Sequence, residues 1–141
     1  MIQLTKRYRF CASHRLHSKF LSDVQNKETY GKCNNPHGHG HDYVIEITLS
    51  GRIDPATGRL ARVECLDQLV EREVVARFDH RNLNEEIPEM AGVVPTTENL
   101  VLEIARRLRD SWHTAFQEPS PALQAIRIYE TPRNIFGVIY L

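Results

Sequence analysis

The sequence predicts an α+β domain in which a four-stranded antiparallel sheet carries two helices on one face. Two observations predict this class. Apolar residues alternate with polar ones near both ends of the chain, which is typical of half-buried strands. Between these strands, two stretches repeat apolar residues at helical spacing. The order strand, strand, helix, helix, strand, strand favours hairpin-paired antiparallel strands. The length of 141 residues fits a single domain, 1–141.

The first two strands are predicted from one apolar face each. The polar stretch between them, residues 15–35, is interpreted as a long loop, and long loops in compact domains are often functional. The residues that share the core phase are Ile2, Leu4, Tyr8, Phe10, Ala12 and His14 in the first strand and Tyr43, Ile45, Ile47 and Leu49 in the second.

The first helix is predicted over about residues 66–78, where apolar residues recur every three or four positions. The second helix is predicted to begin at Thr96 and Thr97, which supply an N-cap, with Glu98 as an acid in the first turn. Two further strands follow, one containing Ile126, Ile128 and Glu130 and one over residues 135–141, joined by a turn at 131–134.

Composition argues against several classes of function. Lys+Arg and Asp+Glu are 18 each, so no basic excess indicates a nucleic-acid partner. No apolar run reaches the roughly 18 residues of a membrane span, and the N-terminus lacks the apolar middle of a signal peptide. Three cysteines without framework spacing argue against a disulfide scaffold. We therefore expect a cytoplasmic protein without nucleic-acid or membrane partners.

The segment CNNPHGHGHDY, residues 33–43, places three histidines at alternate positions before the second strand. Because side chains at i and i+2 of a strand share a face, His39 and His41 could bind one ion together. His14 ends the first strand on its apolar phase, so neighbouring strands would bring three imidazoles together, as in catalytic zinc sites with an open fourth position. The alternative is a solvated turn that merely scavenges metal. His37 shares the same phase, so phase alone does not choose the pair.

Three other positions could carry acid–base chemistry. A thiol near a metal and an imidazole can have a depressed pKa, so Cys33 could accept a proton. The alternative for Cys33 is a small buried hydrophobe, which we expect for Cys11 and Cys65. Asp79 could orient His80 as an acid or base, although a helix C-terminal cap is the simpler interpretation.

Glu130 occupies the apolar phase of its strand, where a carboxylate is costly unless it is paired or liganded. A buried acid in a pocket could bind the amidine-like edge of a heterocycle through two hydrogen bonds. The alternative is a glutamate at the strand end that reaches solvent.

The chain resembles the 6-pyruvoyltetrahydropterin synthase family over nearly its whole length. Six segments carry the resemblance in this order: FCASHRLHSK, GKCNNPHGHGHDY, DPATG, FDHRNLN, PTTEN and IYET. It implies the tunnelling fold, whose sheets assemble into trimeric barrels that stack as hexamers with active sites at subunit interfaces. It also implies a zinc-dependent lyase that converts 7,8-dihydroneopterin triphosphate to 6-pyruvoyltetrahydropterin, for tetrahydrobiopterin synthesis, with elimination of triphosphate.

The resemblance also implies residue roles at positions that spacing and phase single out. Arg15 and Lys19, beside the histidine site in sequence, could meet the triphosphate, with a solvated loop as the alternative. The implied roles are zinc binding for His14, His39 and His41, catalysis for Cys33, Asp79 and His80, pterin anchoring for Glu130, and pocket lining for Thr96, Thr97 and Glu98.

Two alternatives stay open at this point. Cys33 precedes both His37-Gly38-His39 and His39-Gly40-His41, so it satisfies the C-x5-H-G-H spacing of the biopterin enzymes and the C-x3-H-G-H spacing of the queuosine-pathway 6-carboxytetrahydropterin synthases. The long segment between His14 and Cys33 and the sequences CNNP, DPATG and TTEN favour the biopterin type. A non-catalytic zinc- and pterin-binding protein is the other alternative.

Overall fold

The computed structural model describes residues 1–140. Short 3-10 turns lie at Gly31–Asn34 and Pro88–Met90. The strands and helices are β1 (Ile2–His14), α1 (Asp23–Tyr30), β2 (His39–Gly51), α2 (Val63–Val70, continued by a π-helical turn at Glu71–Val75 and an α-helical turn at Ala76–Phe78), β3 (Arg81–Asn82), α3 (Thr97–Ala115), β4 (Ala122–Thr131) and β5 (Asn134–Ile139).

The sheet has five strands in the order β3-β1-β2-β4-β5. The four long strands pair antiparallel, as predicted. The prediction of only four strands is wrong, because β3 adds a parallel edge by pairing Arg81 with Ala12 and Asn82 with Ser13. A strand of two residues contains no complete apolar alternation, so periodicity does not reveal it.

The loop predicted for residues 15–35 is also wrong in part, because it contains α1. Asn26 is the buried residue of this helix, so no apolar stripe marks it. The helix begins with a capping box, in which Ser22 accepts from the backbone of Gln25 and the Gln25 side chain accepts from the backbone of Ser22. Ser22 followed three residues later by Gln25 is the sequence signal that could have predicted this start.

The hydrophobic core lies between one face of the sheet and the helices α2 and α3, as predicted. Burial of each large aliphatic side chain contributes about 1.5–3 kcal/mol. The largest fully buried side chains are Tyr43, Phe78, Ile45, Ile47, Leu49, Leu66, Leu69, Leu83, Ile87, Met90, Leu100 and Ile104.

The π-helical turn keeps the apolar stripe of α2 on the core. A regular α-helix of 3.6 residues per turn would rotate Phe78 about 120° away from Leu66. The wider turn at Glu71–Val75 absorbs this rotation, so α2 ends with Phe78 packed in the core. Four side chains spaced four residues apart are fully buried along α2: Leu66, Val70, Val74 and Phe78.

The second predicted helix begins as expected, because the Thr96 hydroxyl caps α3 by accepting from the backbone of Asn99. The predicted turn at 131–134 joins β4 to β5. The last predicted strand reached residue 141, whereas β5 ends at Ile139 and Leu141 lies outside the described residues. Within residues 1–140, no helix combines the length and apolarity that crossing a bilayer would require.

Candidate metal centre and active site

Three histidine side chains meet at one end of the β1–β2 ribbon. The strand register pairs His14 with His39, and His41 follows on the same face of β2. The Nε2 atom of His39 lies 3.1 Å from Nε2 of His14 and 3.1 Å from Nε2 of His41. We call these three residues the histidine triad. One ring nitrogen from each of the three lies within 4.8 Å of the others, and the His41 ring centroid is 5.6 Å from that of the core residue Tyr43.

The surroundings of the triad keep its nitrogens available as ligands. The Nδ1 atom of His14 lies 2.9 Å from the carbonyl oxygen of Pro95, and since a carbonyl only accepts, Nδ1 carries the proton. The lone pair of the His14 Nε2 therefore points toward His39. Burial lowers the pKa of both His14 and His41. Neutral imidazoles are the form that binds metal, so the donor set fits a tetrahedral ion such as zinc with one open position.

His37 lies outside the triad. Its side chain is exposed, and its backbone N–H donates to Oδ1 of Asn35 at 3.2 Å. The following Gly38 turns the chain into β2 with φ of 71°, and a Cβ there would lie 2.8 Å from the His14 carbonyl oxygen. The histidine pair that meets His14 is therefore the one that follows Cys33 with C-x5-H-G-H spacing.

Glu130 lies beside the triad on the core face of β4. Its Oε1 is 3.3 Å from Nε2 of His41, and its Oε2 accepts from the Thr97 hydroxyl at 2.6 Å. The side chain is 16% exposed, so the carboxylate is held in place at the edge of the core rather than extended into solvent. Thr97 is buried at the start of α3, whereas Glu98 is exposed and points away from this contact. One acid and one hydroxyl thus border the metal centre.

Cys33 lies in the 3-10 turn Gly31–Asn34, on the side of the ribbon that carries the triad. Its carbonyl accepts from the backbone N–H of Leu16 at 2.8 Å, and its side chain is half-buried. Burial raises the pKa of the Cys33 thiol, and the nearby Glu130 carboxylate raises it further. We expected a depressed pKa for this thiol from a neighbouring metal and imidazole. Within the chain, Lys32 lowers the pKa of Cys33, but burial and Glu130 outweigh it.

Asp79 and His80 form the predicted pair, with Oδ2 of Asp79 3.0 Å from Nδ1 of His80. Oδ1 of Asp79 accepts from the backbone N–H of Cys11 at 2.8 Å, and this bond lowers the pKa of Asp79. His80 has φ of 58°, a left-handed conformation held by its N–H donating to the Cys11 carbonyl at 2.6 Å. Cys11 and His14 are an odd number of positions apart on β1, so their side chains point to opposite faces of the sheet. The Asp79–His80 pair, which is bonded to Cys11, therefore lies away from the triad.

Within one chain the structure therefore does not bring the Asp79–His80 pair to Cys33. Among residues 1–140, no hydrogen bond or ion pair joins Asp79 or His80 to Cys33 or Glu130. The basic residues Arg15 and Lys19 also lie apart from the triad. The Arg15 Nε donates to the Asn34 carbonyl at 3.2 Å, and Lys19 lies over the Phe20 ring.

Sequence reasoning missed three groups at these sites. Pro95 contributes a backbone carbonyl, for which no side-chain pattern exists. The Tyr43 hydroxyl is buried beneath the triad without a hydrogen-bond partner in residues 1–140. Asp42 accepts from the Cys11 thiol at 2.7 Å, so Cys11 is not the inert hydrophobe that we expected. Strand alternation puts Asp42 opposite the triad, but only the register shows that it pairs with Cys11.

The fold and the site together define a class of protein: an α+β domain with a histidine triad suited to metal binding beside a fixed carboxylate. The family model described as 6-pyruvoyl tetrahydropterin synthase matches residues 3–138. The chain belongs to this family, which confirms the resemblance seen in the sequence.

Comparison with individual proteins agrees with this membership. A 6-pyruvoyl tetrahydrobiopterin synthase of Poecilia reticulata is 45% identical over 138 residues, covering 97% of this chain and 88% of the relative. The Homo sapiens protein of the same name is 43% identical, covering 98% and 90%. The solved structure of Caenorhabditis elegans 6-pyruvoyl tetrahydropterin synthase has a TM-score of 0.87 at 37% identity, covering 99% of this chain and 96% of that one.

Proposed function

We propose that the chain is a lyase that converts 7,8-dihydroneopterin triphosphate to 6-pyruvoyltetrahydropterin with elimination of triphosphate. Relatives named for 6-pyruvoyl tetrahydrobiopterin synthesis are 43% and 45% identical over nearly the full chain. The single observation that carries the proposal is the position of Glu130, whose carboxylate lies 3.3 Å from the triad residue His41. A carboxylate that can accept hydrogen bonds from a heterocycle thus lies beside a histidine triad that can hold a metal near the oxygens of the heterocycle's side chain.

The histidine triad would hold Zn²⁺ through the three Nε2 atoms of His14, His39 and His41. When bound, zinc would supply Lewis-acid polarisation of the substrate's side-chain oxygens, which acidifies the adjacent C–H bond. The tautomer fixed by the Pro95 carbonyl keeps the His14 lone pair directed at this position.

Glu130 would anchor the pterin by accepting two hydrogen bonds from its amino edge. The Thr97 hydroxyl holds Oε2 at 2.6 Å, which orients the carboxylate plane before substrate arrives. The three residues at the start of α3 differ in their support for a pocket role. Thr97 contacts Glu130, and Thr96 caps α3, the helix that carries Thr97. Glu98 is exposed.

Cys33 would take the proton from the acidified carbon. The electron pair of the broken C–H bond then expels triphosphate, and the proton held on the Cys33 sulfur is available for return. Internal tautomerisation of the substrate moves hydrogen from its side chain to its ring, so the side chain is oxidised as the ring is reduced and no nicotinamide or flavin is required. Because burial raises the pKa of Cys33, the thiol needs positive charge nearby to act as a base.

Asp79 and His80 would relay protons to or from Cys33. Since the pair lies apart from Cys33 within one chain, we infer that it serves the site of a second copy. The sheet is open for such assembly: β3 covers β1 only at Ala12 and Ser13, and the outer edge of β5 has no partner strand in residues 1–140. This supports a homo-oligomer with shared sites, the hexamer of two trimers that the family resemblance implies.

The alternative product, 6-carboxytetrahydropterin, goes with the C-x3-H-G-H spacing and therefore with His37 as a ligand. His37 is exposed and outside the triad, which favours the pyruvoyl product. The three cysteines are unpaired, which supports a cytoplasmic location.

Product analysis tests this function. We expect the zinc-loaded protein, incubated with dihydroneopterin triphosphate, to release triphosphate and to retain the three-carbon side chain as a pyruvoyl group, as identified by mass spectrometry. Acetaldehyde with a 6-carboxy product would assign the chain to the queuosine branch. Tight pterin binding without turnover would leave the non-catalytic alternative.

Glu130→Gln is expected to weaken pterin binding by about 10- to 100-fold, because a hydrogen bond to a charged group is worth about 1.5–3 kcal/mol. Titration of the intrinsic fluorescence of a pterin ligand measures the Kd. The matched control is Glu64→Gln, which changes an exposed acid in the first turn of α2, outside every predicted site position, and should leave the Kd unchanged. Equal affinities for the two variants would contradict the anchoring role.

A further inference from the structure

A second cluster of ligand-type side chains lies on the face of the β1–β2 ribbon opposite the triad. It opens into a cavity of about 400 Å³. Gly40 contributes no side chain to this face, so the cavity floor between the strands stays open. The polar lining residues include Cys11, Ser13, Asp42, His80, Asn82 and Glu86.

Three donors of different kinds lie close together beside this cavity, which Cys11 and His80 line. A sulfur of Cys11, a carboxylate oxygen of Asp79 and an imidazole nitrogen of His80 lie within 4.8 Å of one another. Oδ1 of Asp42 lies 2.7 Å from the Cys11 sulfur. Ligand atoms around a tetrahedral zinc ion would be roughly 3.3–3.8 Å apart, given bonds of about 2.0–2.3 Å. The donors of Cys11, Asp79 and His80 are therefore within about 1 Å of such spacings, and Asp42 lies beside the sulfur.

The backbone holds these donors in place. The N–H of Cys11 donates to Asp79, and the carbonyl of Cys11 accepts from the N–H of His80. This second bond keeps His80 in its left-handed conformation, which non-glycine residues adopt at a cost. The His80 side chain is 80% exposed, so its ring can rotate toward an ion without disturbing the core.

We propose that Cys11, Asp79 and His80, with Asp42 beside the sulfur, form a second cation site that takes a thiophilic divalent ion such as Zn²⁺, Co²⁺ or Cd²⁺. A sulfur and an imidazole nitrogen select such ions over Mg²⁺ and Ca²⁺, which prefer all-oxygen sets. Binding forms a bond between the metal and the Cys11 sulfur and releases the thiol proton to solvent, without a change in oxidation state. We call this cluster the Cys11 site.

An ion at the Cys11 site has a consequence that rests on the proposed function. It would hold the lone pairs of Asp79 and His80 and remove this pair from proton transfer. Metal at the triad then supports turnover, whereas excess metal at the Cys11 site inhibits it. The binding measurement below does not depend on turnover, so a failure of the proposed function would be seen separately.

Titration of the full-length protein with Co²⁺ tests the Cys11 site. We expect two equivalents to bind, one of which produces a thiolate-to-cobalt charge-transfer band in the near-ultraviolet. Cys11→Ser should abolish this band, and Asp42→Asn should weaken the associated binding by about tenfold or more. Circular dichroism checks that both variants fold, and Asp42 is exposed enough that its isosteric change should not disturb folding.

Two matched variants localise the band. Cys33→Ser, which removes the thiol on the triad side, should leave it intact, and so should His39→Ala combined with His41→Ala. A single bound equivalent without a charge-transfer band in the wild type would overturn the proposal. A band that persists in Cys11→Ser, or that disappears in Cys33→Ser, would overturn it equally, because the sulfur ligand would then be another cysteine.

Discussion

Replacing Cys33 with alanine is expected to lower kcat by about 10²- to 10⁴-fold, the range typical of removing a positioned proton-transfer group. Cys33 is the thiol on the triad side of the ribbon, close enough to Glu130 for the carboxylate to raise its pKa. The substitution removes the proposed proton acceptor and leaves the histidine triad and the proposed anchor Glu130 in place. Pterin binding should therefore persist while triphosphate release falls, as measured by a coupled phosphate assay.

Cys65→Ala is the matched control, because Cys65 is a half-buried thiol that packs against the core at α2 and lies outside both ligand clusters. It should keep the wild-type kcat. If Cys33→Ala turned over as fast as this control, Cys33 would not be the base. The comparison of these two variants would then no longer separate an enzyme from a non-catalytic binding protein.

His39→Ala is expected to reduce bound zinc from one equivalent at the triad to a trace and to abolish turnover. His39 is central to the triad, because its Nε2 lies 3.1 Å from the Nε2 atoms of both His14 and His41. Removing it leaves two donors, too few to complete a catalytic zinc site. Metal content by mass spectrometry at one added equivalent, measured in a Cys11→Ser background that removes the second proposed site, together with activity, measures the effect.

His37→Ala provides the control, since it deletes an exposed histidine two residues away without touching the triad. It should retain zinc and activity. Loss of zinc from this variant would show that the ligand register is the one with C-x3-H-G-H spacing. Circular dichroism of His39→Ala should show an intact fold, and unfolding would instead indicate that the metal has a structural role.

Much of this fold follows from periodicity. The alternation in β1, β2 and β4 identifies which side chains enter the core. The same phase includes His14, His39, His41 and Glu130, but it also includes His37, which the structure leaves exposed. A strand phase gives the face on which a side chain lies. It does not give the neighbouring strand, so the meeting of the four residues required the observed order β1-β2-β4.

The features that could not be predicted lack a periodic signal. The helix α1 buries only a polar residue, Asn26, and β3 is too short to alternate. The position of His80 depends on how the segment after α2 crosses the edge of β1, which tertiary hydrogen bonds to Cys11 determine. The dipeptide Asp79-His80 indicates that the two side chains can pair with each other. It does not predict which part of the fold the pair faces.

The π-helical turn at Glu71–Val75 bears on how this chain tolerates changes in length. Deleting one residue there would put Val74 and Phe78 seven and eleven positions after Leu66. In a regular α-helix, residues at these spacings lie within about 20° of the same face. The turn therefore behaves as one surplus residue held within an otherwise ordinary amphipathic helix. Its exposed Arg72 marks a place where the backbone can be shortened by one residue without repacking the interior.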